Sequence, residues 1–541
     1  MAVSGIKIRA DSFLLRGLFF ALPLIFSAKF KDHYLIKDFL FYSVLLYFSL
    51  RAEMPKIRAT GYGIIAFFIA KAVSLFFSPN ISVSLYALSR DLFLWSPFFI
   101  LSIPFKKYSE KISGAIIAGL VLIMIYGYMQ YFGLDFISWQ VNFGGRPFSF
   151  LGNPNFLGAY LVAVLPVLLC RLEKKRGIFH PVLVLLLLLL LFFTRTRGSI
   201  LAGAAVISLW LIFSFRFKFR SRRRLLFLTG VLLLSAGILF TRGGIRINWR
   251  EGSVRERLFK WQTACEIFKD YPVFGCGAGA VKTNFALYQA KIRERWNLRL
   301  KSTSESQVHN DFLQILTETG LVGSGAFLVL LFLFYRRVFS GNDDPIEKVM
   351  LVTGMTGILI NSLTNFPLEL VSVFSVFIFY LTLAGRTDEP VPGAEDKQKR
   401  NVFRFFIPAL LSGLFIFFLL PELISSYHRK RGDDSYALGG YEKAVFHYEK
   451  AHRYSPVDGQ MAYNLGMSHV RMGKYDKAVS AFREGIKIRH YGELYNDLGN
   501  VEYLLKNYDG ARQAWQTARR LGLPDAEAYA QLERNLKLIG N

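Results

Sequence analysis

Cysteine is almost missing. Three residues in a chain of 541 cannot supply a disulfide framework. Cys170 falls at the end of an apolar run, while Cys265 and Cys276 share one polar loop, where they either pair or pack as small apolar side chains. Acidic residues are also scarce, 39 against 66 Lys and Arg, which leaves a formal charge of +27. Such a balance can serve nucleic acid, but here the basic residues lie mostly between apolar runs, so no nucleic-acid role is expected. Histidine is thin as well. His309 is the one imidazole in the long polar loop, and with no second His or Cys at ligand spacing a metal site has nothing to build on.

What is abundant is apolar: 52% hydrophobic residues, 52 of them Phe, place the chain in the membrane class. Runs of the roughly 20 residues a membrane span needs fall near 12–28, 34–50, 61–78, 84–104, 113–133, 155–170, 180–194, 199–215, 225–240, 320–335, 349–363, 367–385 and 402–423. The expectation is an all-α polytopic bundle of about 12 to 13 spans followed by a soluble helical-repeat domain. Basic residues at Arg51/Lys56/Arg58, Lys106/Lys107/Lys111, Arg171 to Arg176, Arg216 to Arg224, Arg336/Arg337 and Lys397/Lys399/Arg400 alternate with outer turns near 79–83 and 364–366 that carry none. The positive-inside rule then puts the N-terminus in the cytoplasm, and 241–319 and the C-terminal domain outside. The expected domains are spans over 1–240, an outer loop at 241–319, spans over 320–386, a linker at 387–401, a last span at 402–423 and repeats over 430–541.

In those repeats Tyr441, Tyr475 and Tyr508 recur at a period near 34, each three residues before Ala444, Ala478 or Ala511, with Tyr448, Phe482 and Trp515 four residues further on. The spacing resembles tetratricopeptide repeats. His490 stands where a closing proline is usual, and the first unit lacks a clear first helix. Such a stack offers a groove for a protein or glycan partner; the alternative is a folded extension that stabilises the membrane part.

Four stretches carry candidate chemistry. Gly144 to Asn155 is dense in turn formers, with Asn155 set either to cap the following helix or to face substrate beside Arg146. Thr194-Arg195-Thr196-Arg197-Gly198 places two arginines at the outer end of adjoining spans, where they meet either an anionic ligand or lipid phosphate. Along 254–268, Val254, Leu258, Trp261, Cys265 and Phe268 share one helical face, and Arg257 stands about 60° from its centre, nearer than Arg255 or Lys260. The Gly275, Gly277 and Gly279 cluster has no strand–helix–strand context, so it reads as a tight turn and not as a dinucleotide fingerprint. His309 either plays a structural part or accepts a proton near neutral pH, with Glu305, Asp311 or Glu318 available to orient it.

Taken in order, Arg146 to Asn155, Thr194 to Gly198, Arg257 with Trp261, Asp270 to Gly277, and His309-Asn310 leading to Glu318-Thr319-Gly320 resemble the O-antigen ligase and O-antigen polymerase superfamily of bacterial membrane glycosyltransferases. The likeness covers roughly 110–385. It implies a polyprenyl-diphosphate-linked glycan donor, a lipid or glycan acceptor, transfer at the outer face of the inner membrane, and no required metal, nucleotide or cofactor. Arg197 matches the first family arginine, with Thr196 where serine is usual; Arg257 matches the second, and His309 the proposed base. Arg146, Asn155, Arg195, Trp261 and Asn310 are then expected to face substrate. Ligation is the leading activity, with polymerisation and transfer to a protein hydroxyl close behind. A transporter fits less well, since no internal symmetry with midplane polar residues is visible.

Overall fold

A computed structural model describes residues 2–26, 35–50, 59–137, 139, 143–217, 252–296, 307–385, 397–455, 457–523 and 526–540. Every regular element in these residues is helical. The bundle comprises α1 (Ala2–Ala21), α2 (Leu35–Ser49), α3 (Ala59–Ser74), α4 (Ile81–Trp95), α5 (Ser102–Tyr131), α6 (Pro154–Lys174), α7 (Phe179–Phe193) and α8 (Arg197–Arg216). Two loop helices follow, α9 (Gly252–Asp270) and α10 (Val281–Trp296), and then α11 (Asp311–Ser340), α12 (Pro345–Ser362), α13 (Val371–Ala384) and α14 (Lys397–Leu414). Seven helices close the chain: α15 (Leu420–Ala437), α16 (Tyr441–Tyr454), α17 (Gly459–Arg471), α18 (Tyr475–Ile488), α19 (Gly492–Leu504), α20 (Tyr508–Leu521) and α21 (Ala526–Leu538).

Six helices among the described residues are long and apolar enough to cross a membrane: Ala59–Phe77, Pro104–Tyr131, Pro154–Lys174, Arg197–Arg216, Asp311–Ser340 and Phe406–Ala437. Phe179–Phe193 and Val371–Ala384 are apolar but shorter, and the expected span at 225–240 lies outside the described residues. The span expected at 84–104 is interrupted. After α4 comes a single turn, Pro97–Ile100, and α5 begins at Ser102, so Lys106, Lys107 and Lys111 ride on a helix and not on a loop. Pro97 and Pro104 explain the break and restart, because each sits where a helix start needs no N–H donor.

α6 is the central helix, buried along nearly its whole length from Leu157 to Leu172. Pro166 within it disturbs the carbonyls one turn back, and the Tyr380 hydroxyl on α13 donates to the Ala163 carbonyl at 2.7 Å. Lipid gives helices little hydrophobic reason to associate, so close approach matters more. Gly354 and Gly357 on α12 supply it: a Cβ there would lie 2.3 Å from the Tyr380 ring and 2.5 Å from Val206.

At one end of the bundle a backbone splice fixes the loop helices. α11 is broken at Gly320, whose φ of 62° and ψ of −162° are not helical. The break leaves carbonyls and amides of α11 without helical partners, and residues 272–277 take them up. Cys276 N–H donates to Thr317 O at 3.0 Å and Gly277 N–H to Glu318 O at 3.0 Å, while Leu321 and Val322 N–H donate to Pro272 O at 2.9 Å and Val273 O at 3.1 Å. The glycines allow this contact: a Cβ on Gly275 would lie 2.2 Å from Glu318 C, and one on Gly320 2.3 Å from Val273 O. The glycine cluster is therefore a joint between two strands of backbone. Cys276 is buried and Cys265 exposed, and both thiols are free.

The last membrane helix runs into the repeats without a linker. α14 passes through one π-helical turn, Phe415–Leu419, into α15, which packs on α16 as the first helix of the first repeat. Gly432 on α15 sits under Tyr448 as Gly466 sits under Phe482 and Gly499 under Trp515, with Cβ clearances of 2.5, 2.4 and 2.4 Å. The missing first helix is thus α15, in register with the others. His490 also gains a reason. Its N–H donates to Thr283 O on α10 at 3.4 Å, a bond no proline can make. Around it the repeats dock on α10 through Leu521 against Ala286 and Ala290, through Arg293 to the Leu521 carbonyl, and through Arg520 to Glu294 at 2.9 Å.

Candidate active site

The α7–α8 turn sets the first arginines. Thr194 and Thr196 are buried, their hydroxyls 2.7 Å apart, and Thr194 Oγ1 donates to Leu191 O at 2.6 Å. With both threonines turned inward, Arg195 is held at φ 52° and exposed, and Arg197 opens α8, half-buried. Arg146 comes from the preceding loop and donates through Nε to Thr194 O at 2.7 Å. Burial, then the charges of Arg195 and Arg257, lower the Arg146 guanidinium below its usual range. Guanidinium forks suit phosphate, so an anion would offset charges gathered in this way.

Arg257 is half-buried on α9, but the helix presents a different face from the one its hydrophobic pattern suggests. Leu258 and Cys265 are exposed, and the buried residues are Phe259, Lys260, Thr263, Ala264 and Ile267, a stripe turned by about 150°. Polar side chains tolerate burial because each is satisfied locally: Thr263 Oγ1 donates to Phe259 O at 2.8 Å, and Lys260, 2% exposed, pairs with Glu256 at 3.0 Å. Arg257 lies near the border of both faces. Trp261 is half-buried against the loop core, its indole N–H without a hydrogen-bond partner. The loop core of Ala264, Ile267, Cys276, Phe285, Tyr288 and Val308 is latched by the Tyr288 hydroxyl, which donates to Asp270 at 2.6 Å.

His309 follows directly on that core. Val308 is fully buried and its N–H donates to Gln314 Oε1 at 3.0 Å; Asn310 caps α11, accepting from Leu313 N–H at 3.1 Å. Between these anchors His309 is held at φ 58°, a left-handed conformation that non-glycine residues adopt at a cost and chiefly where surroundings impose it. Its ring stands edge-on to Phe366, centroids 5.0 Å apart. Asp311 does not serve to orient the ring; its carboxylate accepts from Ser362 Oγ at 2.8 Å and Leu368 N–H at 3.2 Å. Glu318 bonds Gln314, and Glu305 lies outside the described residues.

Residues 361–369, from the last turn of α12 to the short turn before α13, join the two corners. Asn310 Nδ2 donates to Leu363 O at 3.0 Å, on the histidine side. On the arginine side Asn361 Nδ2 donates to Ser199 Oγ at 2.8 Å, and a Cβ on Gly198 would lie 2.0 Å from Thr364 Oγ1. Asn365 Nδ2 reaches the Asn155 carbonyl at 3.3 Å. Asn155 does not cap α6; Asn153 does, accepting from Asn155 N–H at 2.8 Å. Residues 361–369 carry no basic residue to mark them in the sequence, and Lys260 lies off the hydrophobic face of its segment. A run of Asn, Ser, Thr and Asn between two apolar helices was the available signal for the first, and Glu256 four residues before Lys260 for the second. No cluster of His, Cys, Asp and Glu suited to a metal ion occurs among the described residues.

The fold is that of a multi-pass helical membrane protein whose loop helix α10 carries a docked helical-repeat domain. Residues 182–328 match the family model described as O-antigen ligase, and residues 429–493 and 463–525 match that of the tetratricopeptide repeat, so the chain carries an O-antigen ligase domain followed by tetratricopeptide repeats. It is 30% identical over 105 residues to the Hsp70-Hsp90 organising protein of Plasmodium falciparum (isolate 3D7), covering 18% of this chain and only 19% of that relative's length. Among solved structures, the first tetratricopeptide domain of Spaghetti (RPAP3) bound to an HSP90 peptide shows 17% identity and a TM-score of 0.21, over 22% of this chain and 98% of its own. Yeast Tom70 shows 14% identity and a TM-score of 0.19, over 70% and 80%. Scores this low carry nothing about the whole chain.

Proposed function

We propose that the protein transfers a polyprenyl-diphosphate-linked glycan to an acceptor hydroxyl at the outer face of a bacterial inner membrane. The observation that supports this best is Arg146 bonded to the Thr194 carbonyl beside Arg195 and Arg197, with Arg257 acting on its charge and His309 tied to the same ground through residues 361–366. In this reading the arginines hold the diphosphate and neutralise its charge as it departs. His309 takes the proton from the acceptor hydroxyl; the acceptor oxygen bonds to the anomeric carbon as the carbon–oxygen bond to phosphate breaks on the opposite side, inverting that centre. The residues themselves supply all the charge and proton handling, without metal or nucleotide. The repeat groove would receive a protein partner.

The test is transfer by purified protein from a defined polyprenyl-diphosphate oligosaccharide, offered a lipid-anchored core saccharide, a second lipid-linked repeat, or a serine-bearing peptide. Product with the first acceptor supports ligation. Product only with the second or third reassigns the enzyme to polymerisation or protein glycosylation, and no product with any defeats the proposal.

A further inference from the structure

Three buried side-chain oxygens in residues 361–365 have no hydrogen-bond partner: Asn361 Oδ1, Thr364 Oγ1 and Asn365 Oδ1. Their residues are not loosely placed. Asn361 is 1% and Asn365 4% exposed, and each amide is oriented by its other end, Asn361 Nδ2 on Ser199 Oγ and Asn365 Nδ2 on the Asn155 carbonyl. The carbonyl that Asn365 Nδ2 meets fixes Oδ1 as its partnerless end, and Asn361, turned with its Nδ2 to the Ser199 hydroxyl, likewise leaves Oδ1 unmet. Leaving a buried acceptor unmet costs about 1–3 kcal/mol, so three in five residues mark a place where something supplies donors. The neighbours say what. Thr364 abuts Gly198 beside Arg197, and Phe366, one residue past Asn365, lies against the His309 ring.

Resting on the transfer reading above, we infer that residues 361–365 form the acceptor-recognition subsite, in which these three oxygens accept hydrogen bonds from hydroxyls of a sugar-bearing acceptor next to His309. Phosphate brings only acceptor oxygens and cannot satisfy amide carbonyls; sugar hydroxyls bring donors, and several of them at the spacing of a ring. The site therefore divides by chemistry. Arginines meet the anionic donor, and uncharged acceptor oxygens meet the neutral polyol. A protein acceptor, with one hydroxyl at the reacting residue, would leave most of these oxygens unmet.

The experiment uses full-length protein in detergent, the defined donor, and alkyl glycosides together with their single-deoxy analogues as acceptors. Thr364→Val keeps the volume against Gly198 and removes the hydroxyl; Asn365→Ala removes the second oxygen; Thr364→Ser restores the first. The expected result is an acceptor KM raised about tenfold in Thr364→Val and in Asn365→Ala, an unchanged donor KM, wild-type behaviour in Thr364→Ser, and one deoxy analogue on which Thr364→Val loses nothing further. Wild-type turnover with a donor KM that rises instead, or with no change in acceptor KM in either variant, overturns the subsite and leaves the transfer reading standing. Absence of turnover by wild-type protein on every glycoside, with product on a serine-bearing peptide, overturns the subsite alone; absence of product with every acceptor overturns both.

Discussion

Arg146, Arg195, Arg197 and Arg257 reach the candidate site from three elements and carry like charge, whereas Val308 to Asp311 and residues 361–368 form one mostly uncharged knot of side-chain to backbone bonds. At the arginine corner the diphosphate of the proposed donor would offset the gathered charge. The histidine corner is held by these bonds and carries partnerless oxygens at residues 361–365. On the proposed function, charge governs binding at one corner and position governs chemistry at the other.

The sharpest break in that contrast is His309. Replacing it with Ala removes the base but none of the arginines, so kcat for transfer should fall about 10²- to 10⁴-fold with donor KM little changed; steady-state kinetics on the defined donor decide it. Arg197→Ala and Arg257→Ala come next. Each loses charge-assisted bonds of about 1.5–3 kcal/mol, so donor KM should rise on the order of tenfold to a hundredfold, and lysine at either position should recover little because it lacks the bidentate fork.

How far the site can be read without coordinates differs between the two corners. Arginine positions stand out because charge at a span end is costly and so leaves a mark in the sequence. Arg257 is legible even though the face of α9 is not: Thr263 and Lys260 are buried by satisfying themselves within one turn, which hydropathy cannot register. The histidine corner depends on residues 361–368, which lie about 50 positions further along and carry no basic residue, and on a left-handed backbone at His309 that no residue type announces. The bundle and the repeats were legible from periodicity. The seam between them was not, because α15 continues a membrane helix and its Gly432 precedes the first clear repeat signature.

Gly320→Ala tests whether the two corners share one foundation. A Cβ at φ 62°, 2.3 Å from Val273 O, would force the splice apart. A loss of about 1–3 kcal/mol is expected in detergent thermal unfolding, with donor and acceptor KM both rising. His490→Pro is milder: it deletes the N–H that meets Thr283 O, and removing one such bond costs about 1 kcal/mol, seen as faster proteolysis within 281–296. The smallest effect concerns pH. Burial lowers His447, His469 and His490 below the usual imidazole value of 6.5, so the unfolded repeats bind more protons under acid. Their contribution is fully present above about 6.5 and is lost as pH falls through the lowered folded values, so the melting temperature of the repeats should drop from pH 7 to pH 5.

Most direct of all is equilibrium binding of the polyprenyl-diphosphate oligosaccharide to His309→Ala and Arg257→Ala side by side. The division of labour requires wild-type affinity in the first and at least roughly tenfold weaker binding in the second. Weakened binding in His309→Ala with wild-type affinity in Arg257→Ala would contradict it.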